Sequence, residues 1–397
     1  MTKTKNANLS AAKKAKNDEF YTRWVDIERE MNAYLEYDPD VFRGKTILLP
    51  CDDPEWSNFT KFFALHFQDY GLKKLISTSY APSRNGGGIF YTPTPFETKS
   101  PDYDKSKSMG RGRVFVLEES DMNADGVINI DDLKWSYLDG DGDFRSKEVI
   151  ALRNESDIVI TNPPFSLFRE FIAWLIDGDV KFSVIGSGSA PTTKEIFPLI
   201  KNNKLWVGKG FHQGDAYFQI PDAARTSYAD GVFDEDTRTV HFRNITWFTN
   251  IEHGRRHEPL QLMTAEDNKK FSKHKEVCNI GYLKYDNYDA IEVPYTDAIP
   301  SDWEGVMGVP FSYLNKHNPD QFEIIGITKT WFGAAIKTYP QQIQVSASGR
   351  RTKVGKLNDG AVIKIAKAMV GKTYYEVNGE FFIQTYPRVL IKKKVIS

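Results

Sequence analysis

Apolar and polar positions follow two rhythms along the first part of the chain. Thr46–Pro50 is a short apolar run of the kind a buried strand shows. Ser57–Tyr70 follows, with Phe59, Phe62, Phe63, Phe67 and Tyr70 at helical spacing. Leu75–Thr78 and Val114–Leu117 predict a second and a third strand, and Asp157–Thr161 a fourth that runs directly into Asn162-Pro163-Pro164-Phe165. Behind that turn Ser166 is placed to cap a helix whose apolar stripe is Leu167, Phe168, Phe171, Ile172 and Leu175. Lys181–Gly186 predicts a fifth strand. Strands alternating with helices predict an open α/β sheet that binds its ligands at the carboxyl ends of the strands. From about Leu205 the apolar segments shorten and aromatic, Gly and Pro residues multiply, which predicts added β structure. The organisation expected is a catalytic core over residues 1–204, with an acidic insertion at about 118–143, and a β-rich region over 205–397. No internal repeat is visible.

Composition narrows the class. With 397 residues, 40% hydrophobic and 26% charged, the chain is neither disordered nor collagen-like and is long enough to bury a sizeable core. Two cysteines, Cys51 and Cys278, cannot build a disulfide framework, so a reducing, cytoplasmic setting is expected. No apolar run reaches the ~18 residues of a membrane span, and the lysine-rich start has no apolar core behind it, so no secretory leader is expected. Lys and Arg number 52 against 53 Asp and Glu, a net charge of -1, so any nucleic-acid surface must be a local patch. Acid gathers between Glu118 and Asp143. Base gathers in Lys13, Lys14 and Lys16, in Arg255 and Arg256, in Arg350, Arg351 and Lys353, and in Lys392–Lys394.

The chemistry concentrates in Asn162-Pro163-Pro164-Phe165. A buried strand delivers a rigid turn whose prolines fix φ and remove two backbone donors. The Asn162 side-chain oxygen and an adjacent carbonyl make two neighbouring acceptors for the two N–H groups of an exocyclic amine. Phe165 can stack on the base that carries it. The reaction implied is attack of an amine on an activated methyl group, which needs orientation and electrostatics rather than a protein nucleophile. For that reason Cys51, although it follows a proline as the nucleophile of cytosine C5-methyltransferases does, is set aside.

Asp157–Glu170 resembles the catalytic motif of S-adenosylmethionine-dependent amino-methyltransferases, and of the EcoRI-type adenine-specific DNA methyltransferases in particular. Further segments carry the likeness along most of the chain: Asn17–Thr22, Cys51–Pro54 with Ser57–Phe59, Gly142–Ser146, Trp247–Asn250, His253–His257, Gly305–Pro310, Asn318–Phe322 and Arg388–Ile391. The resemblance implies a Rossmann-like methyltransferase sheet with helices on both faces, S-adenosyl-L-methionine as cofactor, and N6 of a flipped-out adenine in double-stranded DNA as acceptor. Asn162, Pro163, Pro164 and Phe165 are then catalytic. The glycine-rich turn usual after the first strand is missing. The Cys51-Asp52-Asp53-Pro54 turn stands in its place, with Asp52 and Asp53 expected to meet the cofactor's ammonium group or ribose. Asp143 is expected to accept from the cofactor's adenine and Phe144 to stack on it. Phe20, Tyr21 and Thr22 are expected to fold over its methionine end, and Phe168 to line its wall. Lys13, Lys14, Lys16, Arg255, Arg256, Arg350, Arg351 and Lys353 are the candidates for holding the DNA backbone.

The expected role is a monomeric modification methylase of a restriction–modification system, with a cognate restriction endonuclease as functional partner and no membrane contact. The rival readings are a methyltransferase acting on RNA adenine or on a protein glutamine, and a calcium-dependent binding module. The last comes from Asp121–Asp132, which sets Asp121, Asn123, Asp125, the Val127 carbonyl and Asp132 at calcium-loop spacing with Gly126 at the turn, and so predicts a structural calcium site. His253 and His257 are four apart, a spacing that would put two imidazoles on one helix face. No Glu or Cys set accompanies them, so zinc is not expected.

Overall fold

The computed structural model describes residues 21–53, 57–81, 95–119, 133–211, 215–219, 233–234 and 236–394. The chain divides into two compact units, one of Met1–Ala190 with Leu205–Gly254 and one of Pro191–Lys204 with Arg255–Ser397. The boundary expected at 204/205 therefore lies elsewhere. Strands from 205–254 complete the first unit's main sheet, and a short segment before 205 belongs to the second.

In the first unit the strands are β1 (Tyr21–Thr22), β2 (Thr46–Leu49), β3 (Lys74–Ser79), β4 (Arg113–Glu118), β5 (Lys134–Tyr137), β6 (Ile158–Thr161), β7 (Lys181–Ser187), β8 (Trp206–Val207), β9 (Asp215–Gln219), β10 (Phe233–Asp234), β11 (Thr239–Arg243) and β12 (Ile245–Thr249). Its helices include α1 (Trp24–Tyr37), α2 (Asn58–Leu65), the short α3 (Pro95–Lys99), α4 (Lys147–Asn154) and α5 (Phe168–Asp177). One large mixed sheet has the order β5-β4-β3-β2-β6-β7-β12-β8. Its centre, β3-β2-β6-β7, is parallel. Both β2 and β6 are buried at every position, as parallel strands covered on both faces must be. The expected third strand, β4, is present but runs antiparallel to β3, and β5 runs antiparallel to β4. On the other flank β12 pairs antiparallel with both β7 and β8. A second sheet, β1-β9-β11-β10, joins Tyr21 and Thr22 to Gln219 and Phe218.

Helix α1 was not legible as a stripe because its buried face carries acid. Ile27, Met31 and Tyr34 share it with Asp26 and Glu30. Fully buried Glu30 accepts from the Tyr34 hydroxyl at 2.7 Å and from the backbone N–H groups of Lys209 and Gly210 at 3.2 and 3.0 Å, which ties the helix to the loop after β8. Helix α2 starts as expected, with the Ser57 oxygen accepting from the Phe59 N–H, but stops at Leu65. The helix after β6 starts later than Ser166. Phe165–Leu167 make a turn of 3-10 helix, and α5 begins at Phe168 without a side-chain cap.

The second unit contains α6 (Phe197–Lys201), α7 (Ala265–Phe271), α8 (Lys275–Ile280) and two sheets. The first is built from β13 (Ile291–Glu292), β14 (Met307–Val309), β15 (Phe322–Ile327) and β21 (Val389–Lys393), in the order β13-β14-β21-β15. The other uses β16 (Gln342–Val345), β17 (Arg351–Val354), β18 (Val362–Ile365), β19 (Tyr374–Val377) and β20 (Glu380–Gln384), in the order β17-β16-β19-β20-β18. Phe197 of α6 packs edge-on against Trp331 and Phe332. No helix among the described residues is long and apolar enough to cross a membrane.

Candidate active site at the ends of the central strands

Strands β2 and β6 are parallel neighbours, with Leu48 beside Val159, so the turns that follow them lie together. Cys51-Asp52-Asp53 leaves β2 and Asn162-Pro163-Pro164-Phe165 leaves β6. The second turn closes on itself through Pro164, whose carbonyl accepts from the Leu167 N–H at 2.9 Å. Pro163 is buried and Phe165 half-buried. Phe165 stands edge-on to Phe218, 6.4 Å between ring centres, and Phe218 is the β9 partner of Thr22. The Thr22 carbonyl accepts from Asn58 Nδ2 at 2.8 Å. Thus Thr22, the start of α2 and the Asn-Pro-Pro-Phe turn meet in one place.

The two aspartates after β2 part company. Asp52 is 5% exposed and turned inward. Its Oδ1 accepts from Ser57 Oγ at 2.6 Å, and its Oδ2 lies 2.5 Å from Thr161 Oγ1. Burial, more than the nearby Asp53 charge, pushes its carboxyl group up to about 7, against the pull of the two hydroxyls. Asp53 instead meets Arg113 of β4. Arg113 is 6% exposed, and its guanidinium lies 3.3 Å from Glu97 of α3 and donates to Ser79 Oγ.

Asp143 and Phe144 follow β5 on a loop that returns to the end of β3, where the Ala81 N–H donates to Asp141 and the Gly112 N–H to Gly140, both at 2.9 Å. Gly142 has φ +83°, and a Cβ there would strike the Ser79 carbonyl, so only glycine admits this approach. The Asp143 carboxylate is gripped by Arg145, which donates through Nε at 2.9 Å and Nη2 at 2.7 Å. Phe144 is 1% exposed and edge-on to Phe171 and Trp174, so its ring belongs to the packing beneath the site rather than to an open stacking face. Phe168 likewise packs on Phe248 and against Gly186, which has no room for a side chain.

Sequence reasoning missed Tyr80, Arg113, Glu97 and the structural part played by Thr161. Tyr80 follows β3, close to Cys51, Asp143 and the Phe144 backbone. Burial first, and the neighbouring Cys51 and Asp143 side chains next, hold its phenol far above the ordinary range, so it is a neutral donor at any working pH. Its place just past a strand end was the available signal. A lone arginine heading an apolar strand carried none.

Among the expected nucleic-acid contacts, Arg256 is corrected. It is 7% exposed and donates to Asn203 at 3.0 Å, which removes its head from any phosphate. Arg255 is half-buried. Arg350, Arg351 and Lys353 are exposed on and beside the edge strand β17, with Arg351 held bidentately by Glu376. His253 and His257 do not share a helix face. His253 is buried against the Val207 carbonyl, and His257 sits in the short 3-10 turn Gly254–His257 beside Asp320. Phe20, Lys13, Lys14, Lys16 and the calcium-loop residues Asp121, Asn123, Asp125, Val127 and Asp132 lie outside the described residues. Among the described residues no group of three or more His, Cys, Asp or Glu is placed to hold a metal ion.

A family model described as adenine-specific methyltransferase EcoRI matches residues 8–394. Type II methyltransferase M.EcoRI of Escherichia coli is 40% identical over 325 residues, which cover 82% of this chain and 90% of the relative. Type II methyltransferase M.MpnI of Mycoplasma pneumoniae is 35% identical, over 80% of this chain and 84% of its own. Type II methyltransferase M.MgeORF184P of Mycoplasma genitalium is 31% identical, over 98% and 99%. No solved structure matches.

Proposed function

The chain belongs to the EcoRI family of adenine-specific methyltransferases, and from that premise we propose that it transfers a methyl group from S-adenosyl-L-methionine to N6 of an adenine in duplex DNA. We read it as the modification enzyme of a restriction–modification system, with the cognate nuclease a functional partner. The observation that carries the reading is the Asn162–Phe165 turn, which leaves the parallel centre of the sheet beside the β2 turn. In this reading the four parallel strands form a Rossmann-like core, with the site at the switch between β2 and β6.

The residues around that switch suit an amino-acid nucleoside. Asp53 and Asp143 are carboxylates for ammonium, ribose or amine groups, Tyr80 is a neutral donor, and Tyr21 and Thr22 close the side toward Phe165. Phe168 and Phe144 support the wall from behind. When bound, the cofactor supplies an electrophilic methyl group on a sulfonium. The protein's task is then to orient the acceptor. Asn162 and Pro163 accept from the amino group and aim its lone pair, while Phe165 stacks on the adenine. The base must leave the duplex to reach them, at a cost of a few kcal/mol. Calcium takes no part in this scheme.

The test is to incubate the protein with unmodified duplex DNA and isotopically labelled S-adenosylmethionine, digest the DNA, and identify the labelled nucleoside by mass spectrometry. Label should appear in N6-methyl-2′-deoxyadenosine and vanish with Asn162→Ala. Bound cofactor without labelled DNA would overturn the DNA substrate in favour of an RNA or protein acceptor.

A further inference from the structure

Thr161 is the last residue of β6 and the last before Asn162. Its hydroxyl carries one hydrogen but has two oxygen neighbours, the Pro50 carbonyl at 2.7 Å and Asp52 Oδ2 at 2.5 Å. A carbonyl can only accept, so for both contacts to be hydrogen bonds the hydroxyl hydrogen must go to Pro50 and the carboxyl group must supply the second. Two oxygens 2.5 Å apart with no hydrogen between them repel. The Thr161–Asp52 contact is therefore a hydrogen bond when the carboxyl group supplies the hydrogen. The other oxygen, Oδ1, already accepts from Ser57, which assigns that hydrogen to Oδ2.

The surroundings agree. Thr60 and Ser77 direct their hydroxyls at the Asp52 carbonyl, and the Asp52 N–H is used by Thr78. The charge acting on the carboxyl group is that of Asp53, which opposes ionisation and is itself held by Arg113. Burial moves the group in the same direction, up to about 7.

Building on the methyl-transfer reading, we propose that Asp52 is a positioning residue of the active site: its carboxylic acid donates to Thr161 and so fixes the point from which the Asn162 turn departs. Asp52 then touches neither cofactor nor base. It acts through Thr161, which is tied at once to the end of β2 and to the Asp52 side chain. Loss of the carboxyl hydrogen leaves two acceptors and one donor, so one of the two ties must break. A small displacement of the Asn162 side chain is enough to slow an orientation-dependent reaction severely.

The test compares Asp52→Asn, Asp52→Ala and Thr161→Val with the full-length wild type. Asparagine keeps one donor and one acceptor, so D52N should hold kcat within about threefold. D52A and T161V should each lower kcat by about tenfold or more, with KM for S-adenosylmethionine little changed, and the double variant should be no worse than the poorer single. The carboxyl group keeps its hydrogen below about pH 7 and loses it above. Wild-type kcat should therefore fall relative to D52N as pH rises through about 7. Infrared difference spectra between wild type and D52N at pH 6 should show a carboxylic-acid carbonyl band. The inference is overturned if D52N and D52A both lose cofactor affinity, since that marks a charged ligand, if the D52A and T161V losses add, or if the band is absent. Should D52A not fold, D52N and T161V decide the matter. Should the wild type not methylate DNA at all, the methyltransferase reading fails separately, and the infrared band with calorimetric cofactor binding still judges the Asp52–Thr161 bond.

Discussion

Arg113 shows what a buried charge demands of its neighbours. Its guanidinium lies between Asp53 after β2 and Glu97 of α3, and so joins three separate segments of the first unit. Removing one member of such a group strands the others, at about 3–5 kcal/mol. Arg113→Met should accordingly destabilise the first unit by about 3 kcal/mol or more, read as a shift of its unfolding transition in urea. A change within experimental error would mean that the two carboxylates find other partners. The same scale explains what was legible of the site. Asn162 and Phe165 announced themselves because a turn after an apolar strand is a local pattern. Asp52 and Asp53 were recognised as a pair, but their opposite directions are set by Ser57, Thr161 and Arg113, which are distant in sequence or silent in pattern. The aromatic after Asp143 reads as a stacking surface in sequence, which does not reveal that Phe171 and Trp174 enclose it.

Strand β7 and helix α5 make contact where Gly186 faces the Phe168 ring. A methyl group there would overlap the ring, and overpacking of this kind costs about 1–3 kcal/mol. Gly186→Ala should lower stability by that amount and reduce kcat, because α5 begins three residues after Phe165. Adding Phe168→Leu, which makes room, should restore part of both. Additive losses in melting temperature would instead show that the clash is not the cause. Apolar runs located β2, β3, β6 and β7 well because parallel strands are buried on both faces. They could not show direction, and β4 turned out antiparallel. The stripe rule failed for α1 because Asp26 and Glu30 occupy its buried side, Asp26 paired with Arg23 just before the helix and Glu30 accepting from the backbone N–H groups of Lys209 and Gly210.

Taken whole, the chain is nearly neutral, so a polyanion must be met by local arrays. One exposed array legible in both sequence and structure is Arg350, Arg351 and Lys353 in the second unit. Each lost phosphate contact lowers the salt slope of DNA binding by about one. Arg350→Ala with Lys353→Ala should therefore reduce the slope by about 1–2, whereas Arg351→Ala, whose head Glu376 already engages, should reduce it less. Equal slopes in all three proteins, measured by fluorescence anisotropy from low to moderate salt, would remove this strand from the interface.

The excursion of Pro191–Lys204 into the second unit has a consequence for how the protein is made. Helix α6 leaves the ribosome long before Trp331 and Phe332, the residues its Phe197 packs against. Strand β21, which lies between β14 and β15 in its sheet, is later still. The first unit can mature during translation once β12 has emerged, but the second must hold an early apolar helix in waiting until β21 has been made. A gene fragment stopping at Gly254 would therefore expose Phe197 permanently, and one starting at Arg255 would lack the helix.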